Sequence, residues 1–243
     1  FVESLVAEDK GARLFVGGEG STASATYYTS STKEYSAVYR LRNTQKGYSW
    51  SVTARAEYYY RGFEATAAYT YSQSKSVNDG ISAQASSNWG RNYAVDSNSP
   101  QLTNSLYEFP HKVVATLSYT RRYGLFGTNV MLLYNGNSGE HYSLSYAKGK
   151  VDVNGDSYRG NSLIYIPTEA EMPTMLWADD TSAAAFNDYI KADKYLSSHR
   201  GKFAERNSHS LPFVHRLDLH IAQSFYFSKH SSRRAEISLD VLN

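Results

Sequence analysis

Residues 48–60 read YSWSVTARAEYYY, and every even position is apolar or aromatic: Tyr48, Trp50, Val52, Ala54, Ala56, Tyr58 and Tyr60. Ser49, Ser51, Thr53, Arg55, Glu57 and Tyr59 fall between them. A period of two is a β-strand with one apolar and one polar face. The strand is long, with aromatics at both ends of its apolar face and Val and Ala between. A water-soluble sheet needs the alternation but not the aromatic ends. A membrane-spanning strand needs both, because Tyr and Trp favour the two membrane–water interfaces.

The pattern recurs. After a tight turn at Arg61-Gly62, Phe63, Ala65, Ala67, Tyr69 and Tyr71 share one face, and Glu64, Thr66, Thr70 and Ser72 the other. Val113, Ala115, Leu117 and Tyr119 alternate with Thr116, Ser118 and Thr120, and Val130, Leu132 and Tyr134 form a further apolar face. Leu217, Leu219, Ile221, Phe225 and Phe227 alternate with Arg216, Asp218, His220 and Ser224. Ile237, Leu239 and Val241 alternate with Glu236, Ser238 and Asp240. Weaker candidates lie at Ala12–Gly17, Thr22–Tyr28 and Tyr35–Arg42. The pattern predicts about nine strands, most near the ~10 residues that cross a bilayer at a tilt.

The connections alternate in length. Residues 61–62, 124–126 and 228–233 are short, whereas 74–110 and 147–213 are long and polar. Outer-membrane barrels have short periplasmic turns and long extracellular loops. On that rule residues 48–60, 111–122 and 214–227 descend, and 63–72, 128–136 and 234–243 ascend. Tyr58, Tyr60, Phe63, Tyr119, Tyr123, Phe225 and Phe227 then gather at the periplasmic end, and Tyr48, Trp50, Tyr69, Tyr71 and Tyr134 at the outer end. Arg55, Glu57, Lys112, Arg216, Asp218, His220, Arg234 and Glu236 all fall on the polar face, expected to line the lumen. A lipid-facing Arg or Lys at mid-depth costs roughly 2–4 kcal/mol.

Composition sharpens this picture. A mean hydropathy of −0.52 looks soluble, but a polar lumen and long loops give a barrel the same average. No apolar run long enough for a transmembrane helix exists. The absence of cysteine excludes disulfides and thiolate metal sites. A net charge of +2 gives no nucleic-acid signal. The first residues, FVESLVAEDK, lack the features of a signal peptide, and the last, ISLDVLN, stop inside an alternating strand. The chain is therefore expected to be a segment of something longer.

The long loops hold the candidate chemistry. Trp89, Tyr93, Tyr107, Tyr158 and Trp177 are candidate ligand-binding aromatics, able to clasp sugars or peptides or to pack one loop against another. Residues 183–199 predict a short loop helix, N-capped by Ser182 and ended by Gly201. It either closes the loop by packing or borders a ligand site. Asp152, Asn154 and Asp156 place oxygen ligands at alternate positions, as a calcium loop begins. The Gly at the sixth position and Glu at the twelfth of such loops are here Ser157 and Leu163, so an Asx-rich turn is the other reading. Asp218 beside His220 could serve a surface hydrolase, but a wall of crossed charges explains both. No nucleophile elbow or zinc-protease motif occurs, and the chain is expected not to be an enzyme.

Several segments together resemble one family: NTQKGYSWSVTARAEYYYRGFEATAAYTYSQSKSVNDG, SSNW, FPHKVVATLSY, DVNGDSYRGNSLIYIP, YLSSHRGKFAERN and HRLDLHIAQSF. In order and type they are similar to the C-terminal half of Oar-like TonB-dependent outer-membrane receptors of the Bacteroidetes type. The two loop motifs are the most specific part, with Asp152, Asn154, Asp156 and Asn161 matching the family pattern. The resemblance implies an all-β, antiparallel, up-and-down transmembrane barrel of 22 strands, of which residues 1–243 would be the C-terminal part without the plug domain and final strands. It implies residence in the outer membrane of a Gram-negative bacterium and TonB-driven uptake of a siderophore, cobalamin, glycan or peptide. The implied partners are lipid, the protein's own plug, TonB through the N-terminal part and a surface lipoprotein. A structural or adhesive barrel is the rival reading.

Overall fold

The computed structural model describes residues 2–4, 39–41, 43–146, 152–156, 158, 160–230 and 232–243. The protein is all-β, mostly antiparallel sheet with a few short helices. Six long strands carry the fold: β1 (Tyr48–Tyr60), β2 (Phe63–Ser76), β3 (His111–Tyr123), β4 (Phe126–Asn137), β5 (Val214–Tyr226) and β6 (Arg234–Val241). They lie in the order β6-β5-β4-β3-β2-β1, each beside its neighbour along the chain, with residues 103–104 pairing the far end of β2. The expected Ala12–Gly17 and Thr22–Tyr28 strands lie outside the described residues. Of Tyr35–Arg42, Tyr39–Leu41 is described, and it pairs antiparallel with Val2–Ser4.

The turns show why these hairpins close where they do. Arg61 and Gly62 both have positive φ, 47° and 90°. That is the primed turn whose twist matches the flanking strands. A Cβ at Gly62 would stand 2.4 Å from the Thr120 carbonyl oxygen, so the position needs glycine. The β3–β4 hairpin turns on Gly124-Leu125, with Gly124 at φ 60°. Successive hairpins are stepped: Phe63 pairs with Tyr119, so Arg121–Tyr123 run on past the β1–β2 turn.

The register aligns the apolar positions across the sheet. One row runs Phe63, Tyr119, Val130, Ile221, Leu239, and the next Ala65, Leu117, Leu132, Leu219, Val241. Trp50 joins this face, packing edge-on against Tyr71 at 5.4 Å. The face is open: Val52 is 64 %, Leu117 49 %, Leu217 52 % and Ile237 70 % exposed.

The described chain divides into two compact units. The sheet unit comprises residues 49–73, 108–140 and 211–243; the loop unit comprises 1–48, 74–107 and 141–210. The loop unit has its own apolar core, in which Ile166, Ile190, Leu196 and Ala204 pack with Leu144, Ile164, Phe186 and Tyr195. The expected loop helix is two helices, α2 (Asp180–Ala192) and α3 (Lys194–Ser198), preceded in the 74–107 segment by α1 (Ala85–Gly90). Asp179 rather than Ser182 caps α2, accepting a hydrogen bond from the Ser182 N–H at 2.6 Å. Asp193 divides α2 from α3 because its backbone is extended and its carboxylate caps the second helix through the Leu196 N–H at 2.8 Å.

Candidate functional site

The loop unit is organised around two carboxylates, Asp79 with a buried side chain and Asp156 half-buried. Asp79 stands in an Asn-Asp-Gly turn beyond β2, and Arg206 follows α3; their side chains are 8 % and 4 % exposed and form an ion pair. Asp79 also accepts hydrogen bonds from the Ser76 hydroxyl (2.7 Å), the Ser105 hydroxyl (3.1 Å), the Leu106 N–H (3.1 Å) and the Asn207 amide (3.1 Å). Asn207 also donates its side-chain amide to the Asn104 carbonyl (2.8 Å) and its backbone N–H to the Ser143 hydroxyl of a third segment (2.8 Å). An ion pair taken from water is stable only when its remaining lone pairs and protons are satisfied in this way. Sequence reasoning missed this centre. Its only local signal was the turn-forming Asn78-Asp79-Gly80, and Arg206 lies far along the chain. A cavity of about 60 Å³ adjoins it, lined in part by Asn78, Asp79, Tyr93 and Arg206. That is room for a few waters, well short of the ~300 Å³ of a small-molecule pocket.

Asp156 is the second carboxylate. It accepts from the Ser97 hydroxyl, the Asn154 amide (3.1 Å), the Asn161 amide (2.5 Å) and the Tyr158 N–H (2.8 Å). Asp152 accepts the Asp156 N–H at 3.2 Å. Burial raises the Asp156 carboxyl above the usual carboxylate range; the hydrogen bonds from Ser97, Asn161 and Tyr158 pull it down, and the nearby charge of Asp152 raises it. The Asp152, Asn154, Asp156 group is therefore drawn together, and it reaches across to Ser97 in the other loop.

Of the five loop aromatics, Trp89 and Tyr158 meet. Trp89 is buried, donates to the Asn98 amide oxygen (2.9 Å), and packs against Tyr39 and Tyr158 at 5.5 and 5.9 Å. Of the two roles open to it, packing is the one these contacts describe, with its ring standing between α1 and Tyr158. Trp177 donates to the Met172 carbonyl (2.8 Å) and leans on Phe186 at 5.6 Å. Tyr93 borders the small cavity, and Tyr107 is 63 % exposed.

On the sheet, the register puts Arg55, Glu57, Arg216, Asp218, His220, Arg234 and Glu236 on the face opposite the apolar rows. Thr53 and Thr70 meet there at 2.8 Å, fixing the facing of β1. The charges pair as a ladder: Arg55 with Glu57, Arg216 with Asp218 at 3.5 Å, and Arg234 with Glu236 at 3.1 Å. His220 pairs with Asp240 at 2.6 Å, not with Asp218. Residues directly opposite on neighbouring strands stand closer than residues two apart on one strand, and His220 is registered against Asp240.

No family model, no curated protein and no solved structure matches this chain.

Proposed function

We propose that the chain forms part of the wall and the outer loops of an outer-membrane β-barrel, and that this barrel is a TonB-dependent nutrient transporter. The observation that carries the membrane reading is the open apolar face of the sheet. Its large side chains are about half exposed, which in water forfeits roughly 1 kcal/mol each. Summed over the face, that is on the order of 20 kcal/mol, more than the ~5–15 kcal/mol by which a whole domain is stable. Lipid removes the cost. The same face carries Trp50 toward one end of β1 and Tyr60 at the other. That interval is about 33 Å of strand, or about 25 Å at a barrel tilt near 40°, the height of the lipid-facing band. The opposite face, with its paired charges, suits a polar lumen or a plug.

The transporter reading rests on the resemblance to Oar-like receptors carried by the 152–167 and 195–207 motifs. In it the loop unit captures cargo on the extracellular side. Uptake is a conformational cycle of binding and plug rearrangement, not a covalent one. The test is growth of a strain lacking the gene, on limiting iron chelates, cobalamin, peptides or glycans, with and without TonB. A TonB-dependent defect on one nutrient is the expected result and names the cargo. No nutrient defect together with altered adhesion would instead favour the structural barrel.

A further inference from the structure

We infer that the short-turn end of the sheet binds an anionic phospholipid headgroup through Arg61 and Arg121, an inference that rests on the membrane-spanning reading above. Arg121 is a charge on the apolar face. The register pairs it with Thr128 and Thr128 with Gln223, one row beyond Tyr119, Val130 and Ile221. Among the described strand residues of the sheet unit, no other Asp, Glu, Lys or Arg falls on that face. A lipid-facing Arg is costly at mid-depth and nearly neutral at the interface. In a membrane Arg121 would lie at interface height. Tyr119 and Tyr123 flank it along β3, and Phe126 and Phe225 stand in the next row with ring centroids 5.8 Å apart. From there its flexible stem lets the guanidinium reach the headgroups. Thr128 and Gln223 make its own row polar, Thr128 donating to Gln223 Oε1 at 2.8 Å, and the Tyr123 hydroxyl joins them 2.9 Å from Thr128 Oγ1.

Arg61 comes from the adjoining turn. The Thr120 N–H donates to the Gly62 carbonyl at 2.8 Å, which holds the β1–β2 turn against β3 next to Arg121. The Arg61 guanidinium carbon is 5.2 Å from the centre of the Tyr60 ring, a ring of the apolar face. Among the described residues neither arginine forms an ion pair, whereas Arg55, Arg216 and Arg234 on the opposite face each have a carboxylate. Glu64, close to Arg61 in sequence, is registered against Ser118 on that opposite face. Two positive charges thus stand uncompensated at the lipid side of the rim. The guanidinium fork matches phosphate oxygens. In a zwitterionic headgroup the phosphate is already balanced by its own ammonium, so a net anionic lipid gains most. A lipid rather than a free phosphate is the occupant because the arginines adjoin the exposed apolar rows of Leu117 and Ile221, against which acyl chains lie.

The test is photocrosslinking of the full chain in lipid bilayers doped with photoactivatable phosphatidylglycerol or phosphatidylcholine, with the labelled residues mapped by mass spectrometry. Phosphatidylglycerol should label the 119–130 hairpin in preference to phosphatidylcholine, by about fivefold for each arginine engaged. The double variant Arg61→Gln, Arg121→Gln should bring the two lipids level, and Arg121→Gln alone, which serves if the double variant fails to fold, should remove part of the preference. Arg121→Lys should keep most of it, since the charge remains. Equal labelling of the hairpin by both lipids, or a preference that no substitution moves, would overturn the inference while labelling at Val130 and Ile221 left the membrane-spanning reading standing. Loss of the preference in excess inorganic phosphate would make this a free-anion site and overturn the lipid assignment. No labelling of the apolar face by either lipid would sink the membrane-spanning reading and this inference with it.

Discussion

Arg206 shows what a single residue does in this protein. Its guanidinium is buried, holds Asp79 and also reaches the Ser76 hydroxyl at 3.0 Å, joining segments more than a hundred residues apart in sequence. Breaking such a pair from one side leaves an uncompensated buried charge. Arg206→Met is expected to lower the stability of the loop unit by about 3–5 kcal/mol, read as a shift in denaturant midpoint by Trp89 fluorescence. Adding Asp79→Leu to that variant should restore much of the loss, since two apolar groups replace a pair rather than half of one. An additive double variant would contradict this role. None of this was legible in the sequence: Asp79 read as a turn residue, and Arg206 was one basic residue among others in the longest loop.

At the scale of elements, Asp193 decides that one expected helix becomes two. Its extended backbone ends α2, and its carboxylate starts α3 while standing 3.3 Å from His209 Nε2. Burial pushes this carboxyl up, but the Leu196 N–H, His209 and the Tyr195 N–H together hold it below its ordinary value. The folded chain therefore binds this proton less readily than the unfolded one. The cap is fully effective above the ordinary Asp value of about 3.9 and is lost as pH falls through the lower folded value. Hydrogen exchange at the Leu196 and Ser197 amides should accelerate in that window. Asp193→Ala should remove the pH dependence and fray α3, at about 1 kcal/mol; unchanged exchange in the variant would sink the assignment. The helix-spaced apolar residues Phe186 and Ile190 made α2 visible in the sequence. The break was not, because Asp is tolerated on the exposed face of a helix and only its contacts reveal it as a cap. The strands were more legible. A period of two fixes facing residue by residue, and Arg61-Gly62 and Gly124 mark their turns, so β1 begins and ends where the alternation does. The ends of β2 and β4 were less so. β2 runs on to Ser76, where residues 103–104 supply it a partner, and β4 begins two residues early, where Phe126 finds Phe225.

For the whole molecule, the proposal of a membrane-spanning sheet requires its apolar face to meet lipid. The register puts Leu117, Leu132 and Ile221 on one face of β3, β4 and β5, and Thr116, Met131 and His220 on the other. These 243 residues include no cysteine, so each single Cys substitution among them adds one labelling site. The decisive measurement is spin-label accessibility in outer-membrane vesicles at Leu117→Cys, Leu132→Cys and Ile221→Cys, compared with Thr116→Cys, Met131→Cys and His220→Cys. In a membrane-spanning sheet the first three labels are relaxed by oxygen and shielded from a water-soluble nickel chelate, with the order reversed for the second three. Equal exposure of both sets to the nickel chelate would place the apolar face in water and contradict the membrane-spanning sheet.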